Sequence, residues 1–349
     1  MSSPLAAHLQ ARILEHGPIS FRDFMEEALY HPGLGYYTSD RNPIGRQGDF
    51  YTSSDLDPVF GKLLARKFAQ MASALGVLPE DFTILELGAG TGLLAREILT
   101  HQRFRYRILE RSASMKERQR EQLSGFQVEW LDGLPNSLTG CIFSNEFFDA
   151  LPVRRIVRRN GRLREIYVAA GFSEVEVDVH DALDLPLAEG QLADINSEAM
   201  QWMTRIAASL ERGYHLAIDY GYEDREFYAR PRGTLMCYWK HQAIEDPYIR
   251  IGEQDMTTHV NFSDLIRSGA VGGLVTEGVT TQMEFLIQLG VLEEIASLVP
   301  VVDASGLQRL TALKKLILPD GMGTRFKVLV QRKDVAVLPG SNRLNPVSG

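Results

Sequence analysis

Residues 144–156 read SNEFFDALPVRRI and set two carboxylates, Glu146 and Asp149, around two phenylalanines directly after the apolar pair Ile142–Phe143. The run CIFSNE reads as a strand, so the acids stand where a buried strand gives way to a loop. A half-buried carboxylate there suits a planar cation. A guanidinium offers it two parallel charge-assisted hydrogen bonds, and the carboxylate can also take a proton. The plainer alternative has Asp149 capping the next turn and Glu146 bonding backbone N–H groups.

A second chemical feature lies upstream. ILELGAGTGLL places Glu86, Gly88, Gly90 and Gly92 between an expected strand and an expected helix. Glycines let a backbone adopt positive φ and approach a ligand closely, and a helix start supplies free N–H groups. A dinucleotide fingerprint would be G-x-G-x-x-G, but its third position here is Leu93. The pattern E-x-G-x-G-x-G instead resembles motif I of class I S-adenosylmethionine-dependent methyltransferases. Such a cofactor carries a sulfonium and an ammonium, which an acid such as Glu86 would complement. Glu110, ending the next strand, is placed to accept from ribose hydroxyls, and Asp132, after the third strand, to meet the adenine edge. Asn145 completes the cofactor set at the end of the fourth strand. A tight strand–helix turn with two capping acids is the structural alternative.

Around these residues strands and helices alternate: FTILELGAG, GLLAREILTH, RYRILE, SMKERQREQLSG, FQVEWLD and CIFSNE, with YHLAIDYG as a fifth core strand. This order predicts an α/β fold with a doubly wound, mostly parallel seven-stranded sheet, Rossmann-like, with an N-terminal helical region and an inserted subdomain. Helices are expected over 5–15 and 20–29, the latter capped by Ser20, and over the amphipathic stretch from Pro58. SEAMQWMTRIAASLERG reads as a helix closed by Gly213. The expected organisation is N-terminal helices and a lid loop over 1–80, a core over 81–334 with insertions at about 152–200 and 222–262 (the latter irregular), and a loose tail over 335–349.

Three loops add candidates. GDFYTSS, with Thr52 and Ser53, is expected either as a lid over the cofactor or as an aromatic strap packing the N-terminal helices. DMTTHVNF sets His259 beside Asp255; a histidine there could accept a proton near neutral pH, and a structural loop histidine is the alternative. IDYG places Asp219 at the end of the fifth strand, as a pocket wall or a cap. PVRRIVRRNGRLREIYVA reads as a hairpin about Asn160–Gly161, and its arginines (Arg154, Arg155, Arg158, Arg159, Arg162 and Arg164) would either face solvent or attract an acidic partner.

The chain has 349 residues, 44% hydrophobic and 23% charged, enough for a large core. A net charge of −8 disfavours a general nucleic-acid binder. The two cysteines, Cys141 and Cys237, have no metal-ligand spacing, so neither a disulfide framework nor a cysteine metal site is expected. MSSPLAAHLQARILEHG lacks a long apolar run, so neither a signal peptide nor a membrane span is expected; a short first helix is the plainer reading beside a transit peptide, and a cytoplasmic location is the expectation. The amphipathic stretches VLEEIASLV and LQRLTALKKLIL are explained by core or homodimer packing.

The motifs GDFYTSSDLDPVFG, ELGAGTG, SNEFFDALPVRR, IDYG, DMTTHVNF, Q..FL..LG and FKVLV follow one another in this order. Together they resemble the MidA family, also called DUF185, over about residues 15–332. The resemblance implies S-adenosylmethionine as cofactor. It also implies methylation of a protein arginine, because the mitochondrial member is a respiratory complex I assembly factor with that activity. The chain departs from the family with Ala89 where proline is common, and with TSSDLDPVFG where the family tends to read TSPEISQ.FG. Two alternatives stand beside this reading: a small-molecule methyltransferase, and a non-catalytic assembly chaperone that has kept the fold.

Overall fold

The structure, a computed structural model, describes residues 3–39, 57–298 and 304–335. Two compact units emerge. One comprises Met1–Phe50, Phe148–Gln201 and Tyr222–Asp264; the other comprises Tyr51–Phe147, Trp202–Gly221 and Leu265–Gly349. The insertions thus group with the N-terminal helices, while the helix Val59–Leu75 belongs with the core. The boundary near residue 147 falls inside the phenylalanine pair.

Seven strands organise the second unit: β1 (Thr83–Leu87), β2 (Arg105–Leu109), β3 (Val128–Leu131), β4 (Leu138–Asn145), β5 (Leu210–Tyr222), β6 (Val275–Thr281) and β7 (Phe326–Lys333). Their order is β3-β2-β1-β4-β5-β7-β6. The first five are mutually parallel, and β7 runs antiparallel to both β5 and β6. Successive strands step outward from β1 to β3 and in the other direction from β4 to β5. The topological switch therefore lies between β1 and β4, where open α/β sheets bind ligands beyond the carboxyl ends of their strands.

Alternation along the strands decides what each face buries. Ile84, Tyr106, Ile108, Cys141, Phe143, Leu216 and Ile218 share a core with Phe60, Leu63, Leu64 and Phe68 of the helix Val59–Leu75. Phe68 meets Phe143 edge-on at 5.3 Å between ring centroids. Leu93–His101 and Ala113–Gln122 are the helices that return the chain after β1 and β2.

Gly213 does not close a helix. The helix Ser197–Ser209 passes directly into β5, and Gly213 lies within that strand beside Gly140 of β4. A Cβ on Gly213 would collide with the Gly140 carbonyl oxygen. The glycine serves close strand approach at the register shift between Leu210 and Arg212, a need that resembles a helix stop in sequence.

The first unit holds the helices Pro4–His16 and Phe21–Tyr30, the latter capped by the Ser20 hydroxyl, which accepts from the Asp23 N–H at 3.1 Å. A five-stranded antiparallel sheet carries the hairpin Arg154–Arg159/Arg162–Val168, with Asn160 (φ 51°) and Gly161 (φ 75°) at its turn. Arg154 pairs with Glu165 and Asp181, Arg155 with Glu174 and Asp194, Arg159 with Glu176, and Arg164 with Asp178. Several of these acids lie on Glu174–Asp178, the strand beside Arg162–Val168. Most of the arginine run is therefore matched internally. Residues 222–262 are not irregular throughout, since Gln242–Ile244, Met236–Trp239 and Asp255–Thr257 form a three-stranded antiparallel sheet.

Candidate functional site

The glycine turn begins where β1 runs out. Gly88, Gly90 and Gly92 all take left-handed conformations, with φ of 64°, 51° and 81°. No L side chain adopts three such values in five residues cheaply, which accounts for the alternate glycines. The Gly88 N–H donates to the Leu109 carbonyl at 3.0 Å, and the Gly92 N–H to the Ala89 carbonyl at 2.8 Å. Gly92 then opens the helix Leu93–His101 without a side-chain cap.

Glu86 lies two residues before Gly88, buried in a strand that is otherwise apolar at its centre. Its Oε2 accepts from the Tyr106 hydroxyl at 2.9 Å, also out of water. Burial pushes the carboxyl up to about 7; the Tyr106 bond opposes that rise and the nearby Glu110 charge adds to it. A buried acid near its titration point favours a cationic partner, whose charge would hold it ionised.

Glu110 follows β2 on the same side of the sheet. Burial raises its carboxyl too, against hydrogen bonds that favour the ionised form. Ser112 N–H donates to Oε1 at 2.8 Å and Gln119 Nε2 to Oε2 at 3.2 Å. Asp132 differs: its side chain is 97% exposed and pairs with Lys116 at 2.8 Å.

At the end of β4, Asn145 falls in register with Ile218. Its Nδ2 donates to Glu146 Oε1 at 3.0 Å, while its Oδ1 is buried with no hydrogen-bond partner among the described residues. Glu146 itself is left-handed, φ 54°, with its N–H donated to the Ile218 carbonyl at 2.9 Å. A non-glycine residue held there stores strain that the surroundings must overcome, a common condition at functional sites. The next residue supplies that restraint. Asp219, wholly buried, accepts the Phe147 N–H at 3.2 Å and its own neighbour Tyr220 N–H at 2.8 Å. Asp219 is thus a cap for the Glu146 turn. The Phe147 ring meets Trp202 edge-on at 5.2 Å.

The second unit therefore gathers Glu86, the three glycines, Glu110, Asn145 and Glu146 at the carboxyl ends of β1, β2 and β4. Asp149 and His259 belong to the first unit. There Asp149 is buried, and its backbone carbonyl accepts from the Thr258 N–H at 2.9 Å, beside His259. His259 N–H donates to Thr234 Oγ1 at 3.0 Å, and its ring lies 5.0 Å from Tyr222. Asp255 Oδ1 accepts from the Tyr37 hydroxyl at 2.7 Å. Thr52 and Ser53 lie outside the described residues. Tyr106, Gln119 and Phe147 were not among the sequence-derived candidates; a hydroxyl at a core position of a strand was the signal available for Tyr106, and none was available for Gln119.

Residues 63–280 match the family model described as "Putative S-adenosyl-L-methionine-dependent methyltransferase". The chain belongs to the MidA, or DUF185, family of S-adenosylmethionine-dependent methyltransferases. Among the family's relatives, "Protein arginine methyltransferase NDUFAF7 homolog, mitochondrial" of Drosophila melanogaster is 27% identical, covering 96% of this chain and 85% of that protein. The Homo sapiens "Protein arginine methyltransferase NDUFAF7, mitochondrial" is also 27% identical, with 93% and 82% covered. A Burkholderia thailandensis protein solved bound to S-adenosyl-homocysteine is 33% identical with a TM-score of 0.86, covering 95% of this chain and 92% of that one.

The residues present fit the family's cofactor on chemistry as well as likeness. The three left-handed glycines carry no side chains at the turn, burial raises the carboxyls of both Glu86 and Glu110, and the Asn145 Oδ1 is a buried acceptor with no hydrogen-bond partner among the described residues. Among the described residues no cluster of metal-ligating side chains occurs, and no helix is long and apolar enough to cross a membrane.

Proposed function

We propose that this methyltransferase acts on an arginine side chain of a protein, a subunit of respiratory complex I or a similar partner. The observation that carries the reading is Glu146, a carboxylate held in a strained left-handed conformation at the end of β4 and flanked by phenylalanine. The names of the relatives support the acceptor class.

When bound, S-adenosylmethionine supplies an electrophilic methyl group that a nitrogen lone pair can displace from sulfur. In our reading Glu86 faces the cofactor's cationic end and Glu110 accepts from its ribose hydroxyls. Gly88, Gly90 and Gly92 let the backbone come close, and Asn145 Oδ1 accepts a further donor. Asp132, exposed and paired with Lys116, would reach only the cofactor's outer edge. Glu146 holds the guanidinium by charge-assisted hydrogen bonds and takes up the proton its nitrogen sheds. Phe147 fixes the plane beside it. Asp149 and His259 would serve acceptor binding and proton transfer, and Thr52 and Ser53 cofactor binding.

The test separates binding from transfer. Glu146→Gln should bind S-adenosylmethionine with unchanged affinity by calorimetry while methyl transfer falls roughly 100-fold or more. Equal transfer by the variant and the parent would overturn the role of Glu146.

A further inference from the structure

We propose that Gln119 is a positioning residue of the cofactor site, holding the glycine turn and the Glu110 carboxylate in one fixed arrangement. This rests on the reading that those two elements bind the cofactor.

Gln119 lies on the helix Ala113–Gln122 with no exposed surface. Its Nε2 donates to the Gly90 carbonyl at 2.8 Å and to Glu110 Oε2 at 3.2 Å. Its Oε1 accepts from Trp130 Nε1, on β3, at 2.9 Å. One side chain thus ties together the turn after β1, the acid after β2 and the middle of β3.

The orientation of the amide follows from its partners. An indole N–H can only donate, so the amide oxygen must face Trp130. A peptide carbonyl and a carboxylate can only accept, so the amide nitrogen must face both. Glutamate at position 119 would set acceptor against acceptor at Gly90 and Glu110. Lysine or arginine would set donor against donor at Trp130. Leucine would leave a part-buried indole N–H, a part-buried carbonyl and a carboxylate oxygen without this partner. Only an amide of this length satisfies all three.

The approach is also close. A Cβ on Gly92 would lie 3.3 Å from the Gln119 Cα, so the helix is seated directly on the glycine turn. Gln119 therefore acts on the cofactor through the shape of Gly90 and the charge of Glu110, without needing to touch it. The hydrogen bond to Glu110 favours its ionised form, the form that accepts from two hydroxyls.

The experiment measures the affinity of the full chain for S-adenosyl-homocysteine by calorimetry against pH. It compares the parent, Gln119→Leu, Glu110→Gln and the double variant, with thermal unfolding followed alongside. The ratio of parent to Glu110→Gln affinity isolates the pH step that belongs to Glu110, and the double variant does the same for Gln119→Leu. With Gln119 replaced, that step should move up by roughly half a pH unit or more, and the affinity above it should fall roughly tenfold. Trp130→Phe, which removes the donor that orients the amide, should move the step in the same direction by less, and it provides the test if Gln119→Leu does not fold. A step that stays in place in both variants would make Gln119 an ordinary core residue and overturn the inference, with the cofactor site intact. Loss of affinity in Glu110→Gln at no pH would overturn the reading of Glu110 and the inference with it.

Discussion

The Phe147 ring occupies the space that a side chain on Gly88 would need: a Cβ built on Gly88 would sit 2.9 Å from the ring Cδ2. The glycine turn after β1 and the aromatic segment after β4 are therefore packed as one surface across the topological switch. Asp219 fixes the Phe147 backbone from β5 and Trp202 meets its ring. The acid at position 146 is thereby presented by an immobilised neighbour.

Gly88→Ala should disturb both sides of that contact. It adds a methyl group against an aromatic ring at a residue with φ of 64°. The expected result is a loss of stability of about 1–3 kcal/mol in denaturant unfolding and cofactor affinity at least roughly tenfold weaker in calorimetry.

Glu86 should make cofactor binding and stability respond oppositely to acid. Its folded-state value of about 7 lies above the ordinary carboxyl value of 4.5. Its contribution to stability is fully present below the unfolded value and is lost as pH rises through 7, up to about 3 kcal/mol. Glu86→Gln should therefore unfold at a higher temperature than the parent at pH 8, with little difference at pH 4.5. A cationic ligand needs the ionised form, so the parent's affinity should fall as pH drops below 7. Proton release on binding, read from calorimetry in buffers of different ionisation heat, should be larger at pH 6 than at pH 8.

His215 should behave in the reverse sense. It is buried in β5 with Nδ1 3.0 Å from Gln331 Oε1 on β7, and burial lowers it to about 4. A depressed value means that its contribution is present above the unfolded value near 6.5 and is lost as pH falls through 4, again by up to about 3 kcal/mol. Between pH 4.5 and 6.5 the two residues offset each other. Removing Glu86 should unmask a rise of stability with pH across that window, measurable by urea unfolding at several pH values.

Asp219→Asn keeps the shape of the cap but removes charge from a buried acceptor of two backbone N–H groups. Stability should drop by about 1–3 kcal/mol. Methyl transfer should drop more than cofactor affinity, because the strained turn at Glu146 loses its restraint. A kinetic comparison at saturating S-adenosylmethionine checks this.

Much of the architecture was legible because parallel strands buried on both faces have an unmistakable pattern. TILEL and CIFSN read as strands, GLLAREILTH as a helix, and the glycines as the tight turn that joins the first strand to that helix; Asn160–Gly161 announced its hairpin. What escaped notice depended on neighbours distant in sequence. Gly213 looked like a helix stop because its requirement for a missing side chain comes from Gly140 in another strand. Gln119 looked like one more polar residue in SMKERQREQ, since nothing local shows that its face is buried. The arginines of 154–164 looked like a basic face because their acidic partners lie roughly 10 to 40 positions away, on other strands and, for Asp181, on a loop. Asp132 ended a strand as Glu110 did, yet pairs with Lys116 at the surface.

The central claim is transfer to a protein arginine through Glu146. Its most direct measurement incubates the purified protein and labelled S-adenosylmethionine with lysate from a strain lacking the gene, then separates the products and hydrolyses the labelled protein to amino acids. Label in a protein band, recovered as methylated arginine and lost with Glu146→Gln, is the predicted result. Label only in small metabolites, in an amino acid other than arginine, or undiminished with Glu146→Gln would contradict it.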